Sequence, residues 1–224
     1  DGGGAICIYG RGISSFITNC KFINNYSFYN GGAVSFKMEQ SETGARTVFM
    51  DRCVFSGNSA DMSGGAIAFS PGTGFGHIFF YLTNSLLSGN AAKGTNTDVS
   101  SFPIVSQPDL SGTGGAIYSF SPNRMTVDIT NCTIAGNFAS RFNGGISIET
   151  MMNQITLNNS IISNNSNDIL VDNTFGNPLY YGSNNIFTEP KFENAVSPNL
   201  APTLAGSYSL SDCSPAINAA NNNL

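Results

Sequence analysis

Apolar positions recur in a fixed order along the chain, and the order returns every 28 to 33 residues with one longer gap. In each copy an apolar residue precedes an Asn by three positions, as in Phe22 and Asn25, Phe55 and Asn58, Leu87 and Asn90, Ile134 and Asn137, and Ile162 and Asn165. A Gly-Gly-Ala-Ile/Val phrase alternates with this pair and begins at residues 3, 31, 64 and 114, with a copy lacking Ala at Gly144-Gly145-Ile146. This recurrence predicts a solenoid of stacked coils.

The side chains within each copy alternate as they do in strands. Small residues lie two positions before the apolar one, at Cys20, Cys53, Ser85, Cys132 and Ser160, so both columns are expected to face inward. A further apolar column lies three positions upstream, at Ile17, Met50, Leu82, Ile129 and Leu157. An odd step requires a corner, and pairs such as Thr18-Asn19 suit a left-handed Asn there. Arg52 does not fit this pattern, and we expect it not to be left-handed.

The Gly-Gly-Ala phrase begins a third strand in each copy, and at Gly145–Glu149 its apolar and polar positions look reversed. Pairing of stacked coils strand on strand predicts an all-β, right-handed parallel β-helix of about six coils with three strands per coil. We expect this helix to occupy residues 1–187. Residues 188–224 are predicted to form a C-terminal cap of the same domain, covering the apolar end.

The recurring Asn residues suit a structural role. Identical amides one coil apart can hydrogen-bond along the axis, which predicts a ladder. A contact with glycans is the alternative role. The ladder is expected to contain Asn25, Asn58, Asn90, Asn137 and Asn165, with Cys20, Cys53 and Cys132 stacked in their own column.

The longer gap holds a loop insertion at about 91–113, either a functional excursion from a rigid scaffold or a tolerated surface loop. Aromatic residues in this loop and near the corners are candidates for stacking on sugar rings or for binding a protein partner. Covering the apolar strand ends is their alternative role. The candidates are Tyr26, Phe28, Tyr29, Phe102, Phe138 and Phe142.

Composition narrows the classes of partner. Charged residues are 10% and hydrophobic residues 41%, which is not a disordered composition. The net charge is −5 and the nine Lys and Arg residues are scattered, so nucleic acid is not an expected partner. No run approaches ~18 apolar residues, so no transmembrane segment is expected. Five Cys without Cys-x-x-Cys spacing argue against a zinc site or a disulfide framework, and we expect no metal or cofactor.

The repeat phrases resemble those of chlamydial polymorphic outer-membrane proteins and related bacterial surface β-helices. The closing segment, with Glu189-Pro190-x-Phe192, Tyr208-Ser209-Leu210 and Ser214-Pro215-Ala216-Ile217-Asn218-Ala219, is similar to that of "choice-of-anchor" surface β-helix proteins. The resemblance implies a secreted or surface-displayed bacterial protein associated with the outer membrane. Because the chain opens inside a repeat, we also expect it to be part of a longer one.

An enzyme is the main competing hypothesis, since right-handed β-helices include polysaccharide lyases and glycoside hydrolases. Hydrolysis needs converging carboxylates, and the acidic residues here are dispersed along the chain. A lyase acting on an acidic polysaccharide needs a base, for which His77, Arg52 and Lys21 are weak candidates. We therefore expect adhesion, or binding of a glycan or a host or cell-surface protein, with a purely structural spacer as a third possibility.

Overall fold

The computed structural model describes residues 2–10, 14–37, 44–70, 76–95, 111–121, 124–150, 153–172, 179–217 and 219. Successive strands add to four parallel sheets that wind around one core. The predicted all-β parallel solenoid is therefore confirmed.

Each sheet collects the equivalent strands of successive coils, and neighbouring strands are parallel and in register. Sheet A contains β1 (Ile6–Tyr9), β5 (Val34–Lys37), β9 (Ile67–Ser70), β13 (Ile117–Ser121), β17 (Ile146–Thr150) and β20 (Ile169–Asp172). Sheet B contains β2 (Ser15–Thr18), β6 (Ala45–Asp51), β10 (His77–Thr83), β14 (Arg124–Thr130), β18 (Asn153–Asn158) and β21 (Leu179–Ser183). Sheet C contains β3 (Lys21–Ile23), β7 (Val54–Ser56), β11 (Leu86–Ser88), β15 (Thr133–Ala135) and β19 (Ile161–Ser163). Sheet D contains β4 (Tyr26–Ser27), β8 (Ser59–Ala60), β12 (Ala91–Ala92) and β16 (Phe138–Ala139).

Four coils carry a strand in all four sheets. Coils 1 to 4 begin at β2, β6, β10 and β14, and coil 5 begins at β18 and has no described strand in sheet D. A sixth turn is started by β21 and by an isolated bridge between Ile186 and Ile161. The sequence predicted three strands per coil and did not indicate sheet D. Its strands have only two residues, too short to show the period of two that identifies a strand.

Inward-facing apolar side chains from sheets A, B and C form one continuous core along the axis. Equivalent residues stack from coil to coil, so that the rings of Phe22 and Phe55 lie 4.7 Å apart with planes 7° apart. Arg46 also occupies an inward position of β6 and is 1% exposed. The central coils are the most completely buried, because each is covered by a coil on both sides.

The corner between sheets B and C is left-handed in every coil. Its second residue has a positive φ at Asn19 (55°), Arg52 (52°), Asn84 (50°), Asn131 (56°) and Asn159 (49°). The expectation that Arg52 would avoid this conformation was wrong. The corner geometry is imposed by the paired strands on both sides, and it outweighs the preference of one residue, which amounts to about 1–2 kcal/mol.

The Gly-Gly-Ala phrase needs glycine for two different reasons. Its first glycine is left-handed, with φ of 67° at Gly64. The second is enclosed, because a Cβ on Gly65 would lie 2.6 Å from the backbone of Ala91. Both positions are therefore closed to most side chains.

The last copy of this phrase begins one residue earlier than the sequence indicated, at Asn143 and not at Gly144. Ile146 pairs with Ile117, and Gly114 N donates to the carbonyl of Phe142, which aligns Asn143 with Gly114. Asn143 takes the left-handed position with φ 49°, and Gly145 replaces Ala. The apparent reversal at Gly145–Glu149 was thus wrong, since Ile146 and Ile148 are both buried, as the inward positions of the other copies are.

The closing segment forms a two-stranded antiparallel sheet of β22 (Phe192–Asn194) and β23 (Ser207–Leu210), with a 3-10 turn at Pro198–Leu200 between them. Its described contacts run along the side of the solenoid. Asn164 Nδ2 donates to the Val196 carbonyl (3.0 Å), and Thr203 N donates to the Gly89 carbonyl (2.9 Å). Leu204 reaches Gly57 in coil 2. The segment therefore spans coils 2 to 5 along the corner that follows sheet C.

Candidate functional site

The recurring asparagines form a hydrogen-bonded ladder along the axis. Asn58 Oδ1 accepts from the backbone N and Nδ2 of Asn25 (3.0 and 2.9 Å), and Asn90, Asn137 and Asn165 repeat this pattern in turn. The remaining Nδ2 hydrogen donates to a carbonyl of the preceding coil, as from Asn90 to Phe55 (3.0 Å). Asn58, Asn90 and Asn137 are fully buried and bonded within the protein, so they are not available to a ligand.

The small-residue column is likewise structural. Cys53 N donates to Ser85 Oγ (3.0 Å), and Cys132 N donates to Ser160 Oγ (3.1 Å), so Cys20, Cys53 and Cys132 belong to one stacked file. All five cysteines are free thiols. Burial raises the pKa of the Cys53 thiol and raises that of Cys132 to about 12, so both are held as neutral thiols.

The three weak catalytic candidates do not converge. His77 begins β10 on the outer face of sheet B, where its Nε2 lies 2.9 Å from Thr126 Oγ1 and its ring stacks on Phe79 at 4.1 Å. Arg52 follows the other end of these strands, because His77 pairs with Ala45 and Arg52 lies seven residues beyond Ala45, or roughly 23 Å at the rise of a strand. Its guanidinium contacts Asp51 (3.1 Å) and Asn19 Oδ1 (3.0 Å). Lys21 projects outward from sheet C. No shared reaction centre includes His77 and the other two.

The predicted binding aromatics lie in two groups near sheet D. Tyr26, Phe28 and Tyr29 are in coil 1, with Tyr26 51% and Phe28 54% exposed. Phe138 and Phe142 are in coil 4, and Phe142 is 44% exposed. Tyr26 and Phe138 belong to one column, but the small buried residues Ser59 and Ala91 separate them. Phe102 lies outside the described residues.

Tyr26 is engaged by two charged side chains from the next coils. Its hydroxyl donates to Asp61 Oδ2, and this bond raises the pKa of the phenol. Lys93 Nζ lies 3.7 Å from Asp61 Oδ1 and 5.2 Å from the centre of the Tyr26 ring. One face of this ring is therefore occupied by the protein itself.

A different set of aromatic side chains lies on the outer face of sheet B. Strand pairing places Phe16 beside Phe49, and Phe49 beside Tyr81, in one line parallel to the solenoid axis. Phe16 is 72% exposed, and the other two are half-buried. We call these three residues the axial row. These three residues were not among the predicted binding residues, although the inward assignment of Ile17, Met50 and Leu82 already implied that the preceding residue in each coil faces outward.

Polar side chains flank the axial row. Asp128 continues the row in coil 4, and its Oδ1 accepts from Thr130 Oγ1 (2.8 Å). On the corner side lies Asp51, which accepts from Asn84 Nδ2 and Thr83 Oγ1, both at 2.8 Å. These two bonds, with the charge of Arg52, lower the pKa of the Asp51 carboxyl, so it is anionic at neutral pH. The row is thus an apolar strip bordered by hydroxyls, amides and carboxylates.

Among the described residues there is no cluster of three His, Cys, Asp or Glu side chains that could hold a metal ion. In the same part of the chain, no helix is both long and apolar enough to cross a membrane. No family model, no curated protein and no solved structure matches the chain.

Proposed function

We propose that this protein is an extracellular, surface-displayed bacterial β-solenoid that binds glycans through the axial row. The observation that carries the proposal is the alignment of Phe16, Phe49 and Tyr81 on a rigid parallel sheet, with Phe16 largely exposed. Large exposed apolar strips on otherwise polar proteins mark interaction sites. Aromatic rings with polar neighbours suit sugars, whose C–H faces stack on rings while their hydroxyls bond to polar edges.

The scaffold also favours binding. The rings project from strands rather than from loops, and each strand is held by its neighbours in the sheet. Little conformational entropy is then lost when a ligand binds. The surface and outer-membrane location is supported only by the resemblance of the repeats and of the closing segment.

Binding to a panel of immobilised polysaccharides tests the proposal. Phe16→Ala, Phe49→Ala and Tyr81→Ala are each expected to weaken binding by about tenfold, equivalent to about 1.4 kcal/mol. Tyr9→Ala is the matched control, because Tyr9 is also an exposed aromatic residue but lies in sheet A, outside the row. Equal loss from Tyr9→Ala, or no binding to any glycan, would refute the axial row as a glycan site.

The enzyme hypothesis is tested in the same samples by following unsaturated product from uronate polymers. Product that disappears with His77→Ala or Arg52→Ala would favour a polysaccharide lyase over a binding protein. The separation of these two residues argues against that outcome.

A further inference from the structure

We infer that the axial row accepts one extended, uncharged polysaccharide chain lying parallel to the solenoid axis, with one sugar per coil. The inference rests on the proposed glycan binding and specifies the class of glycan. Three features of the row carry it, namely its spacing, the angle between its rings and the charge at its borders.

The spacing of the row follows from strand pairing. Phe16, Phe49 and Tyr81 come from coils 1, 2 and 3, and adjacent strands of a sheet lie ~4.8 Å apart. In an extended chain of equatorially linked pyranoses, each sugar advances by a comparable length. Such a chain can therefore place successive rings over successive coils, whereas a coiled chain with axial linkages cannot follow a straight row.

The rings of the row do not form one flat surface. The ring centres of Phe16 and Phe49 are 6.3 Å apart, and their planes are inclined by 50°. A crystalline polysaccharide presents a flat array of sugars, which needs coplanar rings to contact it. A single chain can rotate about its glycosidic bonds and follow the inclination. The row is therefore suited to single soluble chains.

The borders of the row are anionic. Asp51 lies beside it, and Asp128 extends it in coil 4. Arg52 is directed to Asp51 and so offsets part of that charge locally. The opposite ends of these strands are farther from the row. His77 begins β10 four residues before Tyr81, and Arg124 begins β14 four residues before Asp128. Carboxylates on the ligand would be repelled by these borders, and the net charge of −5 adds to the repulsion.

The other aromatic pair on this face is less suited to stacking. His77 and Phe79 lie against each other at 4.1 Å with planes only 11° apart, so each ring already covers one face of the other. The exposed faces of the axial row remain the better platform. Asp128, next in line, provides carboxylate oxygens for the hydroxyls of a fourth sugar.

Calorimetry with soluble β-1,4-linked gluco- and xylo-oligosaccharides of two to six sugars tests the inference. Affinity is expected to rise roughly three- to tenfold for each added ring contact and to level off at four sugars, one for each coil of the extended row. Phe16→Ala should move the plateau to three sugars. Retention on crystalline cellulose should be no greater than for the Phe16→Ala variant.

The matched charge test uses oligouronates of the same length. They are expected to bind more weakly than the neutral chains, and Asp128→Asn should reduce the difference while preserving the acceptor for Thr130. Tighter binding of oligouronates, preferential retention on crystalline cellulose, or affinity independent of length would overturn the inference while leaving glycan binding intact. Absence of binding to every glycan tested would instead remove the proposed function and the inference together.

Discussion

Asp168 Oδ1 accepts hydrogen bonds from both the backbone N (3.2 Å) and the Nδ2 (2.9 Å) of Asn165. In each preceding coil the same two donors bond to the side-chain carbonyl of the next Asn. A carboxylate three residues along the chain thus replaces the amide of a further coil. The ladder therefore ends on an acceptor, and both donors of Asn165 are hydrogen-bonded although no further Asn follows.

The first prediction concerns the end of this ladder. Asp168→Ala removes the acceptor of two donors that are only partly accessible to water, and should lower the free energy of unfolding by about 1–2 kcal/mol. Asp168→Asn keeps a carbonyl oxygen in place and should cost less than half as much. Urea unfolding of the two variants measures the difference. Equal losses would mean that the two bonds contribute nothing specific.

A second prediction concerns the middle of the ladder, where a carboxylate is not tolerated. Asn90 Nδ2 donates to the Asn137 Oδ1 (2.8 Å) and to the Phe55 carbonyl (3.0 Å) in a fully buried site. Asn90→Asp would place an acceptor against two acceptors and bury a charge, so a loss of about 3–5 kcal/mol is expected from thermal or urea unfolding. Asn199→Asp, at an exposed position of the closing segment, is the control and should change stability little.

The contrast between these Asn residues and the rest of the site shows what the sequence could reveal. The ladder could be predicted from the sequence because the same residue type, Asn, recurs at the equivalent position of five coils. The axial row was not recognised, because Phe16, Phe49 and Tyr81 differ in type and their common direction depends on which neighbours are buried. The alignment of Asn143 with the first glycine of the other copies was not recognised, because Gly145 takes the place of their Ala. The position of the closing segment follows from contacts between residues far apart in the chain, such as Gly89 and Thr203, which no local period encodes.

Arg52 provides a third prediction. It adopts φ 52° at a corner where the other four coils place Asn. Arg52→Asn should relieve part of the left-handed strain and allow an amide to bridge Asn19 and Asn84, although the ion pair with Asp51 is lost. Because that pair involves a largely exposed guanidinium, its contribution is small. The variant should therefore be more stable by up to about 1 kcal/mol in urea unfolding. A destabilised Arg52→Asn would show that the ion pair outweighs the strain.

Gly89 provides a fourth prediction, about the closing segment. Its φ is 59°, and a Cβ there would overlap the Thr203 carbonyl. Gly89→Ala should therefore displace residues 196–206 and cost at least about 2 kcal/mol, with faster hydrogen exchange and proteolysis in that segment. Gly44→Ala is the control, since a Cβ on Gly44 would meet nothing within 4 Å. If residues 196–206 kept their protection from hydrogen exchange and proteolysis in Gly89→Ala, the contact between Gly89 and Thr203 would not hold this segment on the solenoid.

The cysteines give a fifth prediction, with a defined pH dependence. Cys7 and Cys213 are exposed and should alkylate rapidly at pH 8, whereas Cys53 and Cys132 should react only after unfolding. Since burial raises the pKa of Cys132 to about 12, the unfolded chain loses this proton first as the pH rises. Its stabilising contribution is complete below the ordinary thiol pKa of about 8.5 and is lost between there and the folded value. Cys132→Ser should remove the contribution of Cys132 to the alkaline loss of stability and leave that of Cys53, as urea unfolding at several pH values measures, and mass spectrometry follows the alkylation.

Repeat proteins whose coils touch only their nearest neighbours lose their terminal repeats one at a time, because each end can fray independently. Here a segment of about ten residues joins Asn164 in coil 5 to Gly57 in coil 2. Unwinding of coil 5 must therefore also release contacts three coils away. Coils 2 to 5 and the closing segment are thereby tied into one cooperative unit, in which single coils cannot fray one at a time.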